Sequence, residues 1–416
     1  MTTVDWVILC VALAGHFAFW LMANNLIHAQ PIAMRRLKFI SYALYGATLA
    51  IPALFAWSLL VESADWLPLA RGWYRLPMVW RGYLMLCWAM ALGPLVWWTF
   101  LRAFQRAPSE LLSKHGRVVD LAETLGHRPI GDRGLRRWFT CLPGNDVFRV
   151  EVNEKTFASP RLPAGLDGLS IAHVSDLHFE GAIAREFFEE IITRVNQMKA
   201  DVIAITGDLF DRRECLAWIP STLARLEAPL GVYFILGNHD LRLVDLARTR
   251  RTLVEAGLID LGGRLIETDW NGHRVVLAGN ELPWIRPAAD MSQAPRRTPD
   301  GEPWRVLLAH SPDQYGWARR HDVDLMLAGH CHGGQIRFPL IGPLVSPSRR
   351  GARYASGTFF ERPTLLHVSR GVSSLQTVRF NCPAEISRLV LRSPATLQGT
   401  KETIARGEAE LIADRA

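Results

Sequence analysis

Three long stretches of this 416-residue chain contain no Asp, Glu, Lys or Arg: residues 6–34, 39–61 and 82–101. A helix of about 20 mostly apolar residues spans the hydrocarbon of a bilayer, and each stretch is long enough. The absence of a polar face argues against three buried helices of a soluble protein, which would keep a polar stripe. A basic segment ahead of the first run is missing too. Asp5 is the only charge before Trp6 and two more runs follow, so a cleaved signal peptide fits poorly. Cysteine is scarce, six in all, with Cys10 and Cys87 inside the runs. No disulfide framework emerges, in keeping with a reducing compartment. Internal repeats and low-complexity tracts are absent.

What charge there is clusters around the runs. Arg71, Arg75 and Arg81 lie in the second inter-run loop. Arg35, Arg36, Lys38, Arg102, Arg106, Lys114 and Arg117 lie on the other side. The larger cationic count predicts an outside N-terminus and a cytoplasmic C-terminal domain. Residues 102–137 hold eight Lys/Arg against four Asp/Glu. Such a segment either attracts anionic headgroups or is a solvated connector. Nucleic acid is not expected as a partner, because no aromatic-basic stacking motif accompanies the charge. The chain therefore divides into a membrane unit of three transmembrane helices (1–105), a basic juxtamembrane connector (106–145), a globular domain (146–392) and a charged tail (393–416) with a short surface helix.

Within the globular domain, short β-rich runs each end in a polar loop. Residues 170–174 lead to Ser175-Asp176-Leu177-His178, 202–205 to Gly207-Asp208-Leu209-Phe210-Asp211, and 232–236 to Gly237-Asn238-His239-Asp240. Residues 306–309 lead to His310, and 325–328 to Gly329-His330-Cys331-His332. Helical patterns over 186–198 and 216–226 intervene, which predicts an α/β domain with a layered sheet. Function in such sheets gathers at the carboxyl ends of strands, where every one of these loops sits.

Seven metal-capable side chains collect there: Asp176, His178, Asp208, Asn238, His310, His330 and His332. They are too many for one tetrahedral ion but suit two ions sharing a bridge. Carboxylate, imidazole and amide oxygen together favour Mn, Fe or Zn over Ca or Mg. Alternate side chains of an extended stretch face one way, so Asp176 with His178 and His330 with His332 can converge.

These motifs, together with Gly333-Gly334-Gln335-Ile336-Arg337-Phe338-Pro339 and Arg379-Phe380-Asn381-Cys382-Pro383, resemble the calcineurin-like metallophosphoesterases, and especially their bacterial membrane-associated branch. The likeness covers roughly residues 148–391. It implies a four-layer α/β/β/α sandwich in place of a plain doubly wound sheet. It also implies a pair of divalent ions: Asp176, His178, Asp208 and His332 on one, and Asp208, Asn238, His310 and His330 on the other. His239 would protonate the leaving group. Asp211 either orients that imidazole or caps the following helix. Cys331 departs from the family's Thr; it is either an oxidisable thiol or a small packed group.

The resemblance implies a phosphodiesterase or pyrophosphatase that uses a metal-bridged hydroxide, in a bacterial inner membrane. Its substrate would be a phosphorylated small molecule, lipid-linked in the manner of UDP-2,3-diacylglucosamine. Two other readings stand beside it. A metal-stabilised membrane scaffold would be expected to lose ligands, and none is missing. A nuclease would need a basic run on the domain, and none is present. Among the other histidines, His16 and His28 read as packed or interfacial, His173 and His367 as satisfied core groups, and His273 as part of a hairpin turn. Arg337 and Arg370 either meet an acidic substrate or form salt bridges, and Trp284 either lines a substrate wall or packs.

Overall fold

A computed structural model describes residues 2–66, 69–104, 107–132, 135–243, 245–298, 302–374 and 376–396. The chain divides into two compact units, Met1–Arg106 and Ala107–Ala416. In the first unit the uncharged runs are helical, over Thr3–His28, Met34–Trp66 and Met78–Phe104. Thr3–His28 and Arg35–Val61 are long and apolar enough to cross a membrane, and only 17% and 6% of their apolar windows are buried. A soluble core helix would be buried along its apolar face. The third expected span, 82–101, is also helical, but side chains over 97–101 lie outside the described residues. Among the described residues, two helices rather than three meet the criterion of length and apolarity. Gly15 lets the first and third of these helices touch, since a Cβ there would stand 1.6 Å from the Cys87 carbonyl oxygen. His16 is buried and its Nε2 donates to the Thr48 carbonyl at 2.8 Å, a packed group.

The second unit is built on strands β1 (Leu111–Asp120), β2 (Arg149–Ala158), β3 (Ser170–Val174), β4 (Val202–Thr206), β5 (Val232–Ile235), β6 (Ile259–Asp260), β7 (Leu265–Trp270), β8 (His273–Asn280), β9 (Trp304–Ala309), β10 (Leu325–Ala328), β11 (Arg337–Phe338), β12 (Gly342–Pro343), β13 (Gly357–Glu361), β14 (Thr364–Val368) and β15 (Ala384–Arg392). One sheet has the order β1-β2-β15-β3-β4-β5-β6 and the other β13-β14-β10-β9-β8-β7. In the first, β3 to β6 run parallel; in the second, β8, β9, β10 and β14 do.

The alternation of side chains along the strands sorts the core into layers. Ile171, Ala204 and Ile235 of the first sheet pack against Leu277, Leu308 and Leu327 of the second. The intervening residues Ala172, Val174, Ile203 and Ile205 face outward onto Phe187, Ile191 and Val195 of helix Arg185–Gln197. On the other side Leu307, Met326 and Leu366 meet Tyr315 and Ala318 of helix Tyr315–Arg320. Two mixed sheets with helices outside them agree with the expected α/β/β/α layering.

The expected connector needs correcting. Residues 111–120 form β1, which pairs antiparallel with β2, so the second unit begins at Ala107 and not at residue 146. The alternation is absent because most of its residues are exposed, with Lys114, Arg117 and Asp120 charged, as edge strands are to discourage further pairing. Lys114 pairs there with Glu151 at 2.9 Å. The tail helix expected within 393–416 falls, beyond residue 396, outside the described residues.

Candidate metal centre

Because β3, β4 and β5 are parallel, the loops that follow them leave one edge of the first sheet. They carry Asp176 and His178, then Asp208, then Asn238. The loops after β9 and β10 of the second sheet carry His310, His330 and His332. The two edges are tied together where His310 Nδ1 donates to the Thr206 carbonyl at 2.7 Å.

The seven side chains converge. The ligand-capable atoms of Asp176, His178, Asp208 and His332 lie within 4.8 Å of one another, and so do those of Asp208, His310 and His330. Asp208 belongs to both groups, and the Asn238 amide oxygen is 3.1 Å from His310 Nε2. Five of the seven, Asp176, His178, Asp208, His330 and His332, have φ between +47° and +70°. Non-glycine residues avoid that region, and such strain collects at functional sites. Gly329 permits the crowding: a Cβ there would sit 2.4 Å from Asp176 Oδ2.

Two observations test whether the cluster suits cations. Asp208 Oδ2 is buried and accepts no well-formed hydrogen bond. The imidazoles of His310 and His178 face it at 3.3 and 3.6 Å, and a buried carboxylate in that position calls for positive charge. Second, each of the four histidines commits one ring nitrogen outside the cluster. His310 Nδ1 is on Thr206 O, His332 Nδ1 on Ser373 O at 3.1 Å, His330 Nε2 on Pro347 O at 2.9 Å, and His178 Nδ1 on Asp211 Oδ2 at 2.7 Å. Their other nitrogens are left for the interior, as imidazoles that hold metals are oriented. The donor set fits divalent ions.

Without a cation the charges lean on protons. Burial would lower His178, but the adjoining Asp211 carboxylate outweighs it and pushes the imidazole up to about 9. Against the same burial, Asp208 pushes His310 up to about 9. Asp208 and Asp211 are buried as well, yet the histidines around them hold both well below the usual carboxylate range.

Asp211 does not cap a helix; the following turn starts after Arg212, with no side-chain cap. Its Oδ1 lies 2.7 Å from His239 Nδ1 and 2.5 Å from Arg242 Nη1, while Oδ2 holds His178. Arg242 escaped the sequence reading, since an arginine after a loop motif carries no pattern. So did the role of Asp240, which accepts backbone N–H groups of Gly237, Leu209 and Phe210 and thereby locks the β4 and β5 loops together. Trp284 lies against the site, its ring 4.6 Å from that of His330 and 5.6 Å from that of His310. Cys331 is a packed group whose thiol is pushed up by burial. Arg370 forms ion pairs with Glu151 and Glu385, and Arg337 bonds Ser356.

Residues 169–334 match the calcineurin-like phosphoesterase family. The chain is 31% identical over 259 residues to an uncharacterized metallophosphoesterase, YkuE, of Bacillus subtilis, covering 59% of this chain and 86% of that protein. It is 31% identical to the phosphodiesterase YaeI of Escherichia coli, over 53% of this chain and 81% of that one. It is 30% identical to a bovine transmembrane protein with metallophosphoesterase domain, over 56% and 55% of the two chains. The fold and the cluster define a two-sheet hydrolase domain with a candidate metal centre. The chain belongs to the calcineurin-like phosphoesterases, and is a metal-dependent phosphoric ester hydrolase.

Proposed function

We propose that the protein hydrolyses a phosphodiester or pyrophosphate bond at a binuclear centre, with a lipid-linked phosphorylated compound such as UDP-2,3-diacylglucosamine as its substrate. Asp176, His178, Asp208 and His332 would hold one ion and Asp208, Asn238, His310 and His330 the other. Such ions supply Lewis-acid charge to phosphate oxygens and make water acidic enough to react near neutral pH. The chain's own part is orientation and proton transfer. His239 lies at the cluster's edge, its ring 4.5 Å from that of His178. Asp211 accepts from its Nδ1, which leaves Nε2 to hand a proton to the departing oxygen. Arg242 shares the same carboxylate and fixes its position. The observation that carries the reading is Asp208, buried at the junction of the two ligand groups, with an Oδ2 that accepts no well-formed hydrogen bond and is faced by the ligand imidazoles of His310 and His178.

The lipid-linked substrate draws support from two helices long and apolar enough to cross a membrane. The same helices, with the cationic flanks of the runs, support a membrane location with the catalytic domain in the cytoplasm. The test is hydrolysis by the full-length chain in detergent with Mn²⁺, first of an aryl phosphodiester and then of UDP-diacylglucosamine. Asp208→Asn should cost on the order of a thousandfold, the scale of losing one preorganised electrostatic group, and should lower bound metal. Activity on the aryl ester without activity on any lipid-linked pyrophosphate would retain the hydrolase and remove the lipid substrate.

A further inference from the structure

Residues 335–347 leave the metal cluster after Gly334 and return to it at Pro347, whose carbonyl accepts from His330 Nε2. Between these points β11 and β12 form a small antiparallel hairpin whose apolar side chains face outward. Leu340 is 80% exposed, Phe338 47% and Val345 47%, and Ile336 is exposed beside them. Leu340 also holds φ +64°, a region unfavourable for a bulky side chain, where a turn ordinarily takes Gly or Asn. A leucine at this tip combines backbone strain with apolar exposure, and the packing of the domain requires neither.

A second apolar patch is connected to it by hydrogen bonds. Trp138 is 64% exposed, with Phe139 and Leu142 exposed nearby. The segment 377–381 links the two. Asn145 donates to the carbonyls of Phe139 and Thr377 and accepts from the Arg379 N–H. On the other side the Phe380 carbonyl accepts from the Arg337 N–H at 3.0 Å, and Asn381 donates to the Arg337 carbonyl. The hairpin's own stretch of chain is basic, with Asp313 accepting from Ser348 Oγ and the Arg349 N–H and Glu361 pairing with Arg353 at 3.5 Å beside it. Residues 325–360 contain no Asp or Glu and four arginines, of which Arg349, Arg350 and Arg353 are exposed.

An exposed apolar patch of this kind marks an interaction surface. Apolar side chains that enter the acyl boundary, beside cations that meet anionic headgroups, are the two components of interfacial lipid binding. The same chain carries two helices long and apolar enough to cross a membrane, and for an anchored chain even weak surface docking is effective. We propose that the 336–345 hairpin, with Trp138, Phe139 and Leu142, is a lipid-docking face that seats the rim of the metal centre in the headgroup layer of an anionic bilayer. Docking requires neither metal nor turnover, so it stands apart from the substrate proposed above.

The test uses the full chain, one copy per nanodisc, with the exposed Cys10 and Cys141 replaced by Ser. A single cysteine is introduced by Leu340→Cys or, as a control on the exposed side of helix Leu246–Glu255, by Val254→Cys. Labelling by a membrane-impermeant maleimide should be at least tenfold slower for Leu340→Cys than for Val254→Cys in phosphatidylglycerol-containing discs. Adding Phe338→Asp should restore most of the rate. Equal rates at both positions would overturn the proposal. Protection that survives Phe338→Asp would overturn it too, by placing the occlusion within the protein. Equal protection in purely phosphatidylcholine discs would remove the part assigned to the arginines.

Discussion

Two sets of histidines, equally buried, have opposite chemistry. His173 of β3 and His367 of β14 face each other between the sheets, Nδ1 to Nδ1 at 2.8 Å. His178 lies shortly beyond the end of β3 and His310 directly follows β9, strands of the same two sheets. Burial pushes His173 down to about 3 and His367 well below its ordinary value. The strand-end pair goes up to about 9. Burial disfavours the charged imidazole in all four, so it does not decide the difference. The neighbours do. Asp211 and Asp208 lie against the strand-end pair. Between the sheets Glu385 is drawn to Lys155 at 2.7 Å, and Lys155 Nζ also lies 2.8 Å from His367 Nε2. One region uses histidine as a neutral link in a closed polar chain; the other sets His178 and His310 against carboxylates, while burial lowers their neighbours His330 and His332.

The two regions therefore separate activity from stability. The largest effect on rate expected from a single change outside the ligand set is His239→Gln. Loss of a general acid costs about 10²- to 10⁴-fold. The loss should be large for a poor alkoxide leaving group and small for nitrophenolate, which leaves without a proton. Thermal melting of the variant should stay within about 1 kcal/mol of the parent, as for other substitutions away from packed features. Equal losses with both leaving groups would remove His239 from the acid role.

The converse change is Lys155→Met. It leaves Glu385 buried with only Arg370 and neutral donors, and removing one partner of a buried pair costs roughly 3–5 kcal/mol. Urea melts should register this, while turnover per folded molecule in Mn²⁺ stays near that of the parent. A variant that melts normally but turns over slowly would show that the interior chain, which ends at Thr206 beneath His310, serves the site and not the fold.

The contrast also explains what could be read from residues alone. Asp176, His178, Asp208, Asn238, His310, His330 and His332 each follow a short β-rich run in a glycine-containing or polar loop, so local pattern finds them. Their joint position depends only on parallel strands ending at one edge. His173 and His367 were recognisable as core groups because they fall inside strand patterns, but their pairing joins β3 to β14 across the sandwich, which no local pattern encodes. The same holds for Glu385 with Lys155 and for Arg370 with Glu151, pairs more than 200 positions apart in sequence. Edge strand β1 was missed for a different reason: exposure on most of its residues erases the alternation that identifies a strand.

The smallest effect is a pH profile, and it compares both regions in one experiment on the full chain with EDTA. His173 has a folded value of about 3 against about 6.5 unfolded, so the unfolded chain binds the extra proton between those values. Its contribution is present above pH 6.5 and is lost as pH falls, by roughly 2 kcal/mol between pH 6.5 and 5 at 1.36 kcal/mol per unit. His178 and His310 have the opposite sign. Raised to about 9 in the folded chain, they stabilise fully below pH 6.5 and lose that contribution as pH rises through about 9. Mn²⁺ in place of EDTA should abolish the alkaline limb, because a bound cation displaces those protons, and for the same reason should deepen the acid limb. His173→Asn should reduce the acid limb and leave the alkaline limb alone; the rest of the acid limb belongs to His367, His330 and His332, which burial also lowers. An alkaline limb that responds to His173→Asn would mean that the two regions titrate as one network, joined through Thr206, and that proximity to carboxylates is not what distinguishes them.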